Sequence, residues 1–338
     1  VPDAHCSVLL PVRNAIDTLD ECIASISAQT LSSFEVVAVD DGSTDGTLAR
    51  LRKEAAQDPR WRVVSTPALG IVAALNTGLE HCRSKWIARM DADDVMLPDR
   101  LERQCAMLDR HPHMAVVGSG VELIETAVTA DGFREYVRWQ NSCVTPQRIA
   151  LSRYVESPLV HPSVMFRRAT VLHHGGYRDG QFAEDYELWL RLLEGGETIG
   201  KCPETLLRWR DQPTRLSRTD SRCSDDAFSR LRLRYLSRDP VFAEARSRLV
   251  IWGAGRKTRL RLAPLFASGV TPTAWIDIDP RKIGNLVDGA PVLGPQALRD
   301  FDNPFVLSCV RNHGAREQIA DALRKLELVE GRHWLSVG

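Results

Sequence analysis

Two clusters of aspartates stand where short apolar, β-branched runs end. Glu35 to Asp40 leads into Asp40-Asp41-Gly42-Ser43-Thr44-Asp45-Gly46, and Trp86 to Met90 leads into Asp91-Ala92-Asp93-Asp94. Carboxylates this close repel one another, and they repel a departing phosphate group as well. A divalent cation between them removes both conflicts, so such a cluster argues for Mg²⁺ or Mn²⁺ acting as a Lewis acid on a diphosphate leaving group. Asp91 and Asp93 are two residues apart, and alternate residues at an extended strand end point the same way. Taken alone, D-x-D is a weak signal, because acidic turns are common. A third acidic pair, Glu184-Asp185, opens the amphipathic pattern Ala183 to Leu193. A carboxylate in the first turn of a helix is held ionised by the N-terminal dipole, which suits a proton acceptor; plain helix-start charge explains the same pair.

The elements that must position these groups alternate between strand and helix. Ser7 to Pro11, Glu35 to Asp40, Arg62 to Ser65 and Trp86 to Met90 read as strands, with helical spacing at Leu19 to Gln29 and Ile71 to Cys82. Ser43, Thr44 or Asp45 can cap the helix after the second strand. The pattern predicts an α/β fold with a mostly parallel sheet, and both aspartate clusters fall at the carboxyl ends of its strands, where ligands collect. A helix from Pro98 to about His111, a strand from Ala115 to Ile124, a strand at Ser163 to Phe166 and an Arg-rich helix from Asp225 to Leu236 follow.

The composition changes near Asp239-Pro240, so the first domain is expected over residues 1–240 and a smaller one over 247–338. In the second, the strand Leu249 to Trp252 enters Gly253-Ala254-Gly255-Arg256-Lys257-Thr258, and Asp277 follows about twenty residues later. This is the start of a dinucleotide fingerprint with Thr258 in place of the third glycine. The expectation is a small Rossmann-like α/β domain that positions an acceptor or an assembly interface.

Four strings together carry a resemblance to a known family. Val8-Leu9-Leu10-Pro11-Val12-Arg13-Asn14, Val39-Asp40-Asp41-Gly42-Ser43-Thr44-Asp45-Gly46-Thr47, Arg89-Met90-Asp91-Ala92-Asp93-Asp94 and Ala183-Glu184-Asp185-Tyr186-Glu187-Leu188-Trp189 closely resemble family 2 glycosyltransferases of the GT-A fold, over roughly residues 5 to 220. The resemblance implies transfer of a hexose from a UDP-sugar to an acceptor hydroxyl with inversion, aided by Mn²⁺ or Mg²⁺. It implies that Pro11, Val12, Arg13, Asp40 and Asp41 border the nucleotide, that Asp91 and Ala92 hold its ribose side, and that Asp93 binds the metal with support from Asp94. Asp185 resembles the general base, Glu184 its neighbour, and His161 lines the acceptor side. Arg89 is a candidate to neutralise phosphate. Where many family members place a His after the late strand near Arg208-Trp209-Arg210, this chain has Asp211-Gln212. That leaves either Asp211 or water to complete the metal shell, and makes Arg215 a candidate diphosphate contact.

The second domain, with its Ile251-Trp252-Gly253-Ala254-Gly255 strand and its Val329 to Leu335 tail, is similar to that of family 2 enzymes that galactosylate queuosine in tRNA, and also to the front domain of sugar acetyltransferases. That likeness makes galactose the expected hexose and a queuosine nucleoside of tRNA one expected acceptor; a cell-surface polysaccharide or lipid-linked glycan is the rival. A non-catalytic sugar-nucleotide binder or a dinucleotide-dependent enzyme is the alternative from another class.

Composition bounds the setting. The 43% apolar and 26% charged residues are those of a globular protein, so disorder is not the default. Acidic and basic residues balance at 44 each, yet sixteen Lys/Arg face seven Asp/Glu between Lys201 and Leu262, a stretch suited to phosphates or anionic headgroups. No run is long enough to span a bilayer and no signal peptide is evident, so a cytoplasmic protein, with peripheral membrane association compatible, is expected. The eight cysteines lack a C-x-x-C pair and are expected as reduced thiols. A homodimer is compatible with these features.

Overall fold

The computed structural model describes residues 4–213, 215–311 and 314–338, which form two compact units. The first comprises residues up to 150 together with 158–220, and the second 151–157 with 221–338.

The first unit is built on a sheet of eight strands: β1 (Cys6–Val12), β2 (Phe34–Asp41), β3 (Trp61–Thr66), β4 (Trp86–Arg89), β5 (Val95–Met96), β6 (Met114–Ile124), β7 (Met165–Arg167) and β8 (Thr198–Arg210). Their order is β3-β2-β1-β4-β7-β6-β8-β5. β3, β2, β1 and β4 are parallel, β7 runs antiparallel between β4 and β6, and β8 is parallel to β6. The parallel strands carry near-continuous apolar runs because both faces are covered. Val8, Leu10, Val36 and Ala38 pack with Leu19, Cys22, Ile23 and Ile26 of the helix Ile16–Ser27 on one face. Leu9, Val37 and Val39 pack on the other with the helix Ile71–His81 and with Leu188, Trp189 and Leu192 of the helix Glu184–Glu194. The register pairs Val12 with Asp40 and Leu9 with Arg89, so the first two strands and β4 end on one edge of the sheet.

The second unit has β9 (Leu249–Trp252), β10 (Ala274–Ile276), β11 (Leu286–Val287), β12 (Ala290–Leu293), β13 (Phe305–Ser308) and β14 (Trp334–Ser336), in the order β11-β12-β10-β9-β13-β14. Only the β11–β12 pair is antiparallel. Val250, Trp252, Ile276, Val306 and Trp334 centre its core. Residues 151–157 join this unit through Tyr154, whose hydroxyl donates to Asp239 at 2.9 Å, and through Val155, whose carbonyl accepts from Arg232 at 2.6 Å. No helix among the described residues is long and apolar enough to cross a membrane.

The turn after β2 is tied to the turn after β1. Asn14 accepts the Thr44 N–H at 2.8 Å and donates its own N–H to Ser43 Oγ at 3.0 Å. Of the three cap candidates, Asp45 meets the following helix: its carboxylate accepts the Thr47 N–H at 3.0 Å and, from the first helix, the Ile16 N–H at 3.1 Å. Desolvation opposes its charge, but these bonds together hold its pKa below the usual value. One side chain therefore serves two helix starts. Asp45→Ala is expected to lower unfolding stability by about 1 to 2 kcal/mol in urea titration, with unchanged m-value.

Candidate active site

At the carboxyl edge of the first sheet, β4 stops at Arg89 and Asp91 to Asp94 form a turn, with the Asp94 N–H 3.4 Å from the Asp91 carbonyl. The turn departs from the extended strand end read in the sequence. Pleat alternation would have joined Asp91 and Asp93 alone, whereas the turn brings Asp94 in as well. One carboxylate oxygen from each of the three lies within 4.8 Å of the others.

The turn is held from outside. Thr18 donates to the Ala92 carbonyl at 3.0 Å, the Arg210 N–H donates to Asp94 at 2.8 Å, and Arg210 Nε donates to the Asp93 carbonyl at 2.8 Å. Below it, the buried guanidinium of Arg100 donates to the Arg89 carbonyl at 2.7 Å. Burial pushes the Arg100 pKa down to about 9.

The carboxylates remain short of positive charge. Burial first, then Asp91, pushes Asp93 up to about 6. Asp94 is raised well above its ordinary value by burial and then by Asp93 and Asp91, and its Oδ2 is buried with no hydrogen-bond partner. Oxygen donors at this spacing, one of them orphaned, fit a hard divalent cation.

Arg89 is buried and its guanidinium pairs with Asp91. Burial opposes its charge, but Asp91 foremost, with Tyr177 and Asp94, outweighs that and holds its pKa above the usual value. The same cation lowers the pKa of Asp93, of Asp185 and of His161, so it stands within electrostatic reach of both acidic groups.

Asp185 sits in the first turn of the helix Glu184–Glu194, half-buried, with its carboxylate accepting the Tyr186 N–H at 2.7 Å. Burial first, then Glu184, pushes it up to about 7. The helix is anchored by Arg191, which pairs with Glu187 at 2.9 Å and donates to the Gly176 carbonyl at 2.8 Å. Next in sequence, Tyr177 is gripped by Asn76 through two bonds of 2.9 Å, and its hydroxyl meets His161 Nε2 at 2.9 Å. The other ring nitrogen of His161 is 3.9 Å from Glu184.

Along the same edge, Asp41 accepts the Leu69 and Gly70 N–H groups at 2.7 and 2.9 Å, and Arg13 stands 3.7 Å from it. Gly42 makes this approach possible: at φ +69°, a Cβ there would lie 2.8 Å from the Ala68 nitrogen. Asp40 is fully buried and accepts the Ser43 N–H at 3.3 Å, while Pro11 and Val12 are buried at the end of β1.

Asp211 is fully buried, and both its oxygens receive bonds from Arg218 at 2.8 to 3.2 Å. It is not part of the three-aspartate group. Arg215 lies 3.7 Å from Asp211, stacks on Trp209 at 4.1 Å and Phe133 at 4.9 Å, and lowers the pKa of Asp93 and Asp94. Sequence reasoning missed Arg100, Arg210, Tyr177 and Arg218. An arginine that opens a charged helix, as Arg100 does, gives no sign that it will be buried, and the pairing of Arg210 with Asp94 and of Arg218 with Asp211 leaves no local pattern.

The family model "Glycosyl transferase family 2" matches residues 7–173. An amylovoran biosynthesis glycosyltransferase of Erwinia amylovora is 34% identical over 215 residues, covering 60% of this chain and 75% of that protein. The chain belongs to glycosyl transferase family 2. It is a glycosyltransferase. An O-antigen biosynthesis glycosyltransferase of Escherichia coli is 31% identical over 60% of this chain and 74% of its own length. Among solved structures, S. aureus TarS 1-349 in complex with UDP-GlcNAc shares the fold at TM-score 0.56 and 19% identity, covering 71% of this chain and 68% of that one. Against the longer TarS chain the TM-score is 0.55 at 20% identity, over 41% of its length. The Ala183 to Trp189 string lies beyond the residues matched by the family model.

Burial first, then Arg89, pushes the His161 pKa well below 6.5. Its imidazole is therefore expected to stay neutral, and its NMR ring signals should not titrate through the ordinary histidine range.

Proposed function

We propose that this glycosyltransferase is inverting and metal-dependent, and moves a hexose from a UDP-sugar to a hydroxyl of a surface polysaccharide or lipid-linked glycan under assembly. The observation that carries the reading is one buried arginine, Arg89, paired with the three-aspartate turn and lowering the pKa of the separate carboxylate Asp185. The UDP-GlcNAc complex of TarS supports a UDP-sugar donor, and the names of the relatives support a glycan acceptor.

In this reading Asp93, with Asp91 and Asp94, would hold a divalent cation. When bound, such a cation supplies Lewis-acid neutralisation of the leaving diphosphate. Asp211 is already engaged by Arg218, so its role is to hold Arg218 and Arg215, and Arg215 faces the diphosphate. Pro11, Val12, Arg13, Asp40 and Asp41 form the wall on the nucleobase side. Asp185 accepts the acceptor hydroxyl's proton while that oxygen bonds to the anomeric carbon, and the bond from that carbon to the diphosphate breaks on the opposite face. UDP leaves with the electron pair. Glu184 and His161 border the acceptor.

Asp185 must be ionised to accept a proton. Since its pKa is held at about 7, kcat/KM is expected to rise with pH through that value and then level off. Asp185→Asn should lower kcat by roughly 10² to 10⁴-fold and leave UDP affinity unchanged, measured by UDP release and by calorimetry.

Mn²⁺-dependent UDP release from UDP-hexose should fall about tenfold or more in Asp93→Ala; equal release by metal-free wild type would refute the metal role. The acceptor is tested with radiolabelled UDP-galactose and UDP-N-acetylglucosamine against a lipid-linked glycan fraction and against tRNA with and without queuosine. Label in the glycan fraction is expected. Label confined to queuosine-containing tRNA would overturn the glycan acceptor and support the other one.

A further inference from the structure

The second unit carries a cavity of about 980 Å³ made wholly of its own residues. It lies beyond the carboxyl ends of β9, β10 and β13, which contribute Trp252, Asp277 and Cys309 to its lining or stop just short of it. β9 and β13 are neighbours in the sheet, and the connection from β9 runs to β10 on one side while that from β13 runs to β14 on the other. This is the switch point at which parallel α/β sheets take ligands.

The loop from β9 supplies the floor. Gly253 makes the tight turn at φ +117°, where a Cβ would meet Val310 at 3.1 Å. Gly255 has ordinary angles, φ −70° and ψ 151°, yet nothing lies within 4 Å of where its Cβ would be. Its bare face opens toward space. Gly255 precedes the twelve-residue helix Arg256–Ala267, and no side chain at that N-cap takes its first-turn N–H groups. The helix Ala315–Lys325, also without a side-chain cap, brings Ala315 to the same cavity. The aspartates of the lining are each paired with a base, Asp225 with Arg311, Asp226 with Arg230, Asp277 with Lys282 and Asp279 with Arg281, so the two positive helix ends and the exposed Lys257 ammonium, which has no acidic partner among the described residues, favour an anion here.

The rest of the lining is suited to a larger, flat group. Ile278 and Leu260 are 74% and 64% exposed and border the cavity with Pro295 and Val310. An anion alone needs neither this apolar surface nor this volume, which falls at the upper end for small-molecule sites.

Asp277 narrows the ligand further. Its Oδ2 accepts the Ala254 N–H at 3.0 Å and Lys282 Nζ at 2.9 Å, while Oδ1 accepts the Asp279 N–H at 3.0 Å. With three bonds made, the carboxylate braces the glycine turn and keeps about one of its roughly four acceptor positions, too few to take both hydroxyls of a ribose diol as a dinucleotide site does. We propose that this cavity binds a nucleoside mono- or diphosphate, its phosphate on the Gly255 to Thr258 backbone and its base against Ile278 and Pro295, separately from the aspartate cluster of the first unit.

The test uses the full chain carrying Asp93→Ala, without metal, titrated calorimetrically with AMP, ADP, UMP, UDP, GDP, NADH and inorganic phosphate. At least one nucleoside phosphate should bind with about one-to-one stoichiometry and at least about tenfold more tightly than inorganic phosphate. Adding Gly255→Leu, which the backbone and the open space accommodate, should weaken that binding about tenfold or more with an unchanged near-ultraviolet circular dichroism spectrum. Lys257→Ala, on the surface, should weaken it by a smaller factor. Absence of nucleotide binding, equal binding by the Gly255→Leu protein, or NADH binding more tightly than every mononucleotide would overturn the proposal. Because Asp93 is already removed, none of these results depends on the transfer reaction.

Discussion

Three carboxylates within 4.8 Å of one another would drive their turn apart, and much of the surrounding chain holds it closed. Backbone N–H donation from Arg210, the Thr18 hydroxyl on Ala92 and the Arg210 side chain on the Asp93 carbonyl pin the turn without neutralising it. Neutralisation is shared: Arg215 lowers the pKa of Asp93 and Asp94, and Arg89 pairs with Asp91, its own burial being costly unless it is paired. Arg100 is buried beneath it and bonds the Arg89 carbonyl, which fixes the backbone from which that guanidinium extends. The crowding of like charge thus explains why Arg89 at the end of β4 and Arg100 at the start of the next helix are both buried.

Arg89 also links the two kinds of carboxylate the chemistry needs. Asp93 is raised by burial and Asp91, and Asp94 by burial, Asp93 and Asp91, a condition that a cation relieves. Asp185 is raised by burial and Glu184 and meets its own helix N–H. Without the opposing field of Arg89, it would be protonated over a wider pH range and less fit to take a proton. Helix position alone does not poise it; the cation beside it contributes to its state as well.

The strands of the first unit were legible because parallel strands buried on both faces must be continuous apolar runs, and the acidic strings interrupt them at the edge of the sheet. β8 was legible only at its end. Pro203 and Glu204 break its pattern, and Lys201, which is buried and donates to Gln140 and Pro158, reads as a surface residue. The helix Asp131–Ser142 was hidden for a related reason, since its polar face is long and only Val137 and Gln140 are buried. Asp211 reads as a possible oxygen ligand because it stands where many family members place a His; its partner Arg218 follows seven residues later, and no local pattern announces that the chain folds back to join them.

What distinguishes a binding carboxylate from a bracing one is the supply of donors, and the two units together make this visible. Asp41 ends β2 and Asp277 follows β10, yet each spends its oxygens on the N–H groups of a neighbouring loop: Leu69 and Gly70 in one case, Ala254 and Asp279 in the other. These acids shape a site by fixing its walls. The Asp91 to Asp94 turn has the opposite balance, with a buried Asp94 oxygen lacking any donor and repulsion left partly unrelieved. In the second unit the unmet groups are N–H donors at uncapped helix starts. One edge therefore calls for a cation and the other for an anion, although both stand at the carboxyl ends of parallel strands. The aspartates at strand ends are alike in sequence; the charge each edge attracts follows from which polar groups, carboxylate oxygens or backbone N–H, the fold leaves unpaired.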